Sequence, residues 1–305
     1  MSKKISLHVR RWLHPKYWGL WLFFGLQRLS TLLPLKAIEA PGAFLGWLTY
    51  RLAPSRRRVA RINIQQAYPE YNEAQIKKLI KASFKSLGIS IFEMGIAWWS
   101  SDSYLRKQSS IEGLEHLEQA LAKGKGVIML TGHFSTLEMG GVLLSLYTPL
   151  HTVYKKAHNP MFDTFMFYYR SKHLKKVIPN TNVRAFIKGL REGYATWYAP
   201  DQDFTKNIVF APFLGGTATT LVSTAKIAGM TGASVVPFYP LRLENGKGYK
   251  LVVLPALENF PSGDQYKDAV RVNQALEDMI RSNPEQYAWV HKRFKTQPEG
   301  KPSLY

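Results

Sequence analysis

Val127-Ile128-Met129-Leu130 is a continuous apolar run that stops abruptly at Thr131-Gly132. A run of that kind suits a strand buried on both faces, and such strands belong to sheets covered by helices. Ser135 or Thr136 then supplies an N-cap for a helix from Leu137 to Leu146. Strand, tight loop and helix between Gly126 and Gly141 commit the chain to the α/β class. They also put His133 on the loop beyond a strand's C-terminal end and Glu138 in the first helical turn. Open α/β sheets bind their ligands at that edge.

The H-x-x-x-x-E spacing carries chemistry only with that break in it. On one continuous helix, residues five apart do not share a face. With His133 on the loop, Glu138 can turn back and accept a hydrogen bond from the imidazole N–H. That bond would fix the tautomer and raise the basicity of the other nitrogen. The pair is the histidine-carboxylate half of a triad, with a substrate hydroxyl in place of the nucleophile. The plain alternative is a satisfied loop histidine beside a helix N-terminal charge. A six-residue pattern alone does not separate the two.

The length of 305 residues allows one large domain or two modest ones. Lys and Arg number 41 against 21 Asp and Glu, a net charge of +20, which calls for an anionic partner. With no cysteine, disulfides, thiolate zinc sites and an acyl-cysteine mechanism are excluded. There is no G-x-S-x-G, H-E-x-x-H, P-loop or dinucleotide G-x-G-x-x-G, and no internal repeat.

The N-terminus is basic through Lys3, Lys4, Arg10, Arg11 and Lys16, and Tyr17 to Leu35 follows as an aromatic and aliphatic segment interrupted by Arg28. Two membrane readings fit residues 17–35: a span with its basic flank on the cytoplasmic side, or a segment lying in the interface with Arg28 snorkelling. A second apolar set runs from Ala37 to Leu52, and Arg51, Arg56, Arg57, Arg58 and Arg61 then suit a headgroup-binding face. Residues 73–99 read as a helical pair, with Trp98-Trp99 as core. Residues 1–110 are thus expected to form a helical membrane-associated module and 111–305 an α/β domain.

Within 111–305, strands are expected at Leu150–Tyr154, Thr196–Ala199, Ala233–Tyr239 and Tyr249–Leu254. Helices are expected at Met161–His173, Val183–Arg191, Thr217–Ala228 and Asp268–Arg281. Asp201 and Asp203 follow the strand at Thr196–Ala199, so two polar loops, that of His133 and Glu138 and that of the two acids, can meet at one sheet edge. Arg170, on the helix between those loops, can pair with Asp201 and hold the loop. Two acids with no further oxygen ligand are a weak Mg²⁺ signal, and the site is read without metal. Trp289, His291, Lys292, Arg293 and Lys295 form a basic-aromatic cluster, with His291, Lys292 and Arg293 as candidates for gripping phosphate or carboxylate groups. Nucleic acid is the other partner such clusters suit, and the membrane-like N-terminus argues against it.

GHFSTLE at 132–138, WYAPDQD at 197–203, VFAPFLGGTATT at 209–220 and QYAWVHKRFKTQPEG at 286–300, with HPKYW at 14–18, resemble the bacterial late acyltransferases of lipid A biosynthesis. The likeness runs from about His14 to the C-terminus and is nearest the lauroyl-type branch through HPKYW and the W-x-H-K-R-F-K ending. The H-x-x-x-x-E element alone is shared with the wider glycerolipid acyltransferase superfamily, where Asp more often holds the last position. The resemblance implies an α/β acyltransferase domain with a mixed sheet. It implies transfer of an acyl chain from acyl carrier protein to a hydroxyl of a 3-hydroxyacyl chain on Kdo2-lipid IVA or its acylated product. It places this at the cytoplasmic face of the bacterial inner membrane, among its phospholipids, with no cofactor. By motif matching it makes His133, Glu138, Arg170 and Asp201 the catalytic set.

The residues and the resemblance agree on a mechanism. The acceptor hydroxyl gives its proton to His133 while its oxygen attacks the donor thioester, and Glu138 stabilises the imidazolium. Backbone N–H groups at Ser135 or the Arg170 side chain are the candidate oxyanion donors. A glycerolipid acyltransferase acting on a lysophospholipid or glycerol phosphate with the same dyad is the alternative. A metal-dependent hydrolase and a non-catalytic basic membrane-binding protein are the readings from other classes.

Overall fold

The computed structural model describes Leu7 and residues 9–305; Lys3 and Lys4 lie outside the described residues. Helices come first: α1 (Trp18–Ser30), α2 (Leu35–Leu52), α3 (Pro54–Ala67), α4 (Glu73–Trp99) and α5 (Asp102–Lys107). Strands and helices then alternate through β1 (Ser109–Glu112), α6 (Leu114–Ala122), β2 (Val127–Leu130), α7 (Leu137–Ser145), β3 (Leu150–Tyr154), α8 (Pro160–His173), β4 (Lys176–Pro179), α9 (Val183–Arg191) and β5 (Ala195–Tyr198). A hairpin of β6 (Ile208–Phe213) and β7 (Gly216–Leu221) precedes α10 (Ser223–Thr231), β8 (Ser234–Arg242), β9 (Tyr249–Val253) and α11 (Gln265–Ser282).

The main sheet has seven strands in the order β1-β9-β8-β2-β5-β3-β4. Every neighbouring pair is parallel except β8 and β9, so the expected mixed sheet flanked by helices is found. All four residues of β2 are fully buried, as a strand covered on both faces must be. After β2 the chain passes to β3 and β4 on one side, returns as β5 between β3 and β2, and then crosses to β8 on the other flank of β2. The strand order therefore switches at β2, and the crevice opens beyond its C-terminal end.

Two local expectations fail for identifiable reasons. Residues 217–221 form a strand, not the start of a helix: Leu214 (φ 45°) and Gly215 (φ 73°) make a two-residue turn that folds β7 back on β6. Leu214 tolerates that backbone because it is buried and its N–H donates to Glu277 Oε1 at 2.7 Å. Residues 73–99 form one continuous helix, begun by a capping box between Asn72 and Gln75.

That long helix organises the N-terminal layer. Phe84, Gly88, Ile91 and Gly95 lie along one face of α4, where α2 and then α1 pack. A Cβ on Gly42 of α2 would come within 2.6 Å of the Ile89 backbone, and a Cβ on Gly95 within 2.6 Å of the Gln27 carbonyl of α1. Gln27 itself donates to the Ile91 carbonyl at 2.5 Å. Phe24 stacks on Phe165 of α8 with ring centroids 4.4 Å apart. The N-terminal helices thus share one hydrophobic core with the sheet region. A spanning reading of residues 17–35 is not supported: α1 covers Trp18–Ser30, and among the described residues no helix is long and apolar enough to cross a membrane.

Candidate active site

β2 and β5 are parallel neighbours in register, with Leu130 opposite Tyr198. The Thr131 N–H extends the ladder to the Tyr198 carbonyl at 3.0 Å. His133 and Asp201 each lie three residues beyond that last pair, so the register alone brings them together. Asp201 Oδ1 and His133 Nδ1 are 2.5 Å apart, and the His133 backbone N–H donates to Asp201 Oδ2 at 2.7 Å. Gly132 leaves the room: a Cβ there would sit 3.3 Å from Asp201 Oδ2. The buried Tyr287 hydroxyl also donates to Oδ2, at 3.0 Å.

Asp201 is 1 % exposed and the His133 side chain 32 %. Burial would push the Asp201 carboxyl up, but the His133 charge and the hydrogen bonds from His133 and Tyr287 hold it down at about 2. Burial likewise pulls His133 down, and the Asp201 charge and hydrogen bond outweigh it, so its pKa is raised above 6.5. An ionised Asp201 accepts from Nδ1–H, which leaves Nε2 as the basic nitrogen.

Glu138 does not reach His133. From the first turn of α7 it faces α8, where Arg170 donates from Nη2 at 2.6 Å and from Nε at 3.1 Å to each carboxylate oxygen. Trp98 Nε1 of α4 donates to the same carboxylate at 2.8 Å. Burial pushes Glu138 up, and the Arg170 charge and these donors reverse the shift, holding it below the usual carboxylate value. The four expected residues are therefore all at one sheet edge, with the partners exchanged: Asp201 serves His133, and Glu138 serves Arg170. Trp98 is core as expected, but its indole N–H also anchors the second pair.

The loop between His133 and α7 is held from outside. Neither Ser135 nor Thr136 caps α7: Thr136 Oγ1 donates to the Pro240 carbonyl at 2.9 Å, and the Ser135 and Ser86 hydroxyls share a hydrogen bond of 2.6 Å. Ser86 in turn accepts from Arg242, which is ion-paired with buried Glu93 at 2.5 Å. The Ser135 N–H donates to the Gln286 carbonyl and the Ala288 N–H to the His133 carbonyl. Ser135 N–H is thus committed and does not serve as an oxyanion donor, whereas Arg170 Nη1 takes no part in the Glu138 contacts.

A cavity of about 860 Å³ opens beside the pairs, with His133 and Arg170 in its wall. Val153, Met166, Ile178, Val183, Phe186 and Trp197 make much of the lining apolar, and Lys155, Lys156 and Lys206 add cations beside the His158 ring. These four basic residues escaped the sequence reading. For Lys155, Lys156 and His158 the signal was K-K-x-H immediately after a strand's C-terminal end, and Lys206 carries no such pattern.

The expected C-terminal grip does not assemble. Arg293 is buried against the Phe213 ring at 4.8 Å and donates to the Thr219 carbonyl at 2.7 Å. His291 Nε2 accepts from the Asp203 N–H at 3.2 Å, burial lowering its pKa. Lys292 is exposed, 5.6 Å from the Tyr305 ring. Nor does the C-terminal segment behave as a solvated tail, since Trp289, Arg293 and Phe294 are all buried. Asp203 accepts from Thr219 and Thr296, apart from the bonds of Asp201. No cluster of three acids or histidines suited to a metal occurs among the described residues.

Residues 7–296 match the family model for bacterial lipid A biosynthesis acyltransferases. The chain is 36 % identical to the lipid A biosynthesis lauroyltransferase of Escherichia coli, over 96 % of each chain. It is 33 % identical to the lipid A biosynthesis palmitoleoyltransferase of the same organism, over 97 % of each, and 34 % identical to a lipid A biosynthesis acyltransferase of Haemophilus influenzae, over 100 % of this chain and 99 % of the relative. By a match over nearly its whole length, this chain belongs to the bacterial lipid A biosynthesis acyltransferase family.

Proposed function

We propose that the enzyme transfers a fatty acyl chain from acyl carrier protein to a hydroxyl of a 3-hydroxyacyl chain on Kdo2-lipid IVA or its acylated product, at the cytoplasmic face of the inner membrane. The observation that carries this reading is the His133 imidazole, locked through Nδ1 on Asp201 and set in the wall of an apolar cavity that Arg170 also lines. His133 Nε2 takes the proton of the acceptor hydroxyl as its oxygen attacks the thioester carbonyl carbon. Asp201 stays ionised and stabilises the imidazolium. Arg170 Nη1 meets the oxyanion of the tetrahedral intermediate, held in place by Glu138 and Trp98. Collapse of the intermediate breaks the C–S bond, and the departing thiolate takes the proton back from His133.

The apolar cavity wall suits an acyl chain, and Lys155, Lys156 and Lys206 suit the anionic groups of donor and acceptor. The test is in vitro transfer with a ladder of acyl carrier protein thioesters and a defined lipid A precursor. The expected result is an acylated precursor with a maximum along the ladder. Acylation of a lysophospholipid or glycerol phosphate but not of the precursor would establish the glycerolipid alternative instead.

A further inference from the structure

Large apolar side chains are not exposed evenly over this molecule. Of the fifteen that are exposed among the described residues, eleven fall between Val9 and Leu52. On α1 they are Trp18, Leu22, Leu26 and Leu29, at spacings of four, four and three that set them in one stripe, continued by Leu33. Leu22 is 66 % exposed, and Leu32 at the turn into α2 is 77 % exposed. On α2, Phe44 and Trp47 stack with ring centroids 5.8 Å apart and are more than half exposed. Both helices pack on one stripe of α4, so their outward faces belong to one layer.

The charge around this layer selects its occupant. Residues 1–69 hold twelve Lys and Arg and a single acid, Glu39. Glu39 accepts from the Gly246 N–H at 2.5 Å. Arg51 lies 5.6 Å from the Trp47 ring and Lys16 4.9 Å from the Tyr17 ring, cations at the rim of the aromatic positions. Apolar side chains outward, aromatics among them and cations at the margin are the features of an element lying in a bilayer interface. A span is ruled out by length and packing. Thirteen residues of helix reach roughly 20 Å against a hydrocarbon core of about 30 Å, and the opposite face of α1 is buried against Trp98, Phe162 and Phe165.

We infer that α1 and α2 together form a docking surface that lies in the plane of an anionic phospholipid surface. The inference rests on the reading that the enzyme works at a membrane, and its test reads membrane binding without acyl transfer. Phe24 of α1 meets Phe162 and Phe165 of α8, while Met166 and Arg170 of the same helix line the cavity. A single helix therefore separates the docked layer from the acyl site.

The absence of cysteine makes the experiment direct. Full-length protein carrying one nitroxide, at Leu22→Cys, Leu29→Cys or Phe44→Cys, is mixed with phosphatidylethanolamine vesicles containing phosphatidylglycerol. All three labels should sit at one shallow depth, roughly 5–10 Å below the headgroups. Labels at 22 and 29 on opposite sides of the midplane, or all three in water, would overturn the inference. Leu22→Glu/Leu26→Glu/Leu29→Glu should lower vesicle partitioning at least about tenfold with circular dichroism unchanged, since these side chains carry little of the core. Unchanged partitioning would refute the surface, as would a lipid-free dimer in sedimentation that the same variant dissociates. Transfer to a detergent-dispersed acceptor separates the two readings. If it persists while vesicles are not bound, the surface falls and the enzyme reading stands.

Discussion

Two ion pairs stand at the same sheet edge and differ in what they can do. His133 and Asp201 are joined at 2.5 Å with Asp201 sealed and His133 one-third open to the cavity. Glu138 and Arg170 are joined by three contacts, with side chains 15 % and 12 % exposed. The first pair has one member whose pKa Asp201 raises above 6.5 and whose ring lines the cavity with Nδ1 alone engaged by Asp201, which suits it to moving a proton. In the second, a carboxylate held below its usual pKa faces the Arg170 guanidinium. That pair can only hold a charge in place. Under the proposed mechanism, the first pair transfers the proton and the second holds the charge that meets the oxyanion.

The largest effect should come from breaking the first pair. His133→Ala and Asp201→Ala should each lower turnover by about 10²–10⁴-fold, and the double variant little further, because the two act as a unit. A double-mutant cycle on turnover checks this. Strong coupling of His133 with Glu138 instead would restore the pairing read from the H-x-x-x-x-E spacing.

Breaking the second pair should show first in stability. Glu138→Ala leaves the Arg170 guanidinium uncompensated and should cost about 3 kcal/mol, at the low end for a buried pair because both side chains keep some exposure. Glu138→Ala/Arg170→Ala should recover part of that loss in denaturant melts. A double variant less stable than either single one would show that the two residues do not compensate each other.

The pairs should also separate by pH. Because Asp201 raises the His133 pKa, activity should climb with pH through a value above 6.5. In Asp201→Asn the charge is gone and desolvation remains, so the weakened activity should climb at lower pH. For stability, His133 contributes fully below its unfolded value of 6.5 and loses that contribution as pH rises through its folded value. Asp201 contributes above 3.8 and loses it as pH falls toward about 2. The melting difference between wild type and Asp201→Asn should therefore be widest between 3.8 and 6.5. A flat difference across that window would remove the coupling.

The smallest effect is expected at the rim of the second pair. Trp98→Phe removes one hydrogen bond to Glu138, at about 1.5 kcal/mol for a bond to a charged group, and leaves a small void where the buried indole packed. Turnover should fall a few-fold with the pH profile unmoved. A shifted profile would tie Trp98 to the first pair.

Much of the architecture was open to reading because it is written in local pattern. The apolar run Val127–Leu130 has one comfortable place, a strand covered on both faces, and the break at Thr131-Gly132 puts His133 at a ligand-binding edge. The strand at Leu150–Tyr154 and the helix at Val183–Arg191 were equally legible from periodicity. The hairpin of β6 and β7 was not. Its turn uses a leucine at positive φ, which only burial and the Glu277 contact make tolerable, and no local rule foresees that. Tyr287 was missed for a similar reason, since its hydroxyl meets Asp201 across 86 residues of chain.

By itself, the sequence determined which polar residues to expect at the candidate site. His133, Glu138, Arg170 and Asp201 are polar side chains at strand ends or on the helices beside them, and sequence patterns and family motifs both single them out. Which carboxylate serves which cation was decided by tertiary structure alone. Glu138 is five residues from His133, but the first turn of α7 directs it toward α8 and Arg170. Asp201 is 68 residues away and arrives because β2 and β5 run parallel with Leu130 opposite Tyr198. Spacing along the chain ranks partners by sequence distance, whereas a carboxylate in the interior pairs with whatever cation the packing of strands and helices sets beside it.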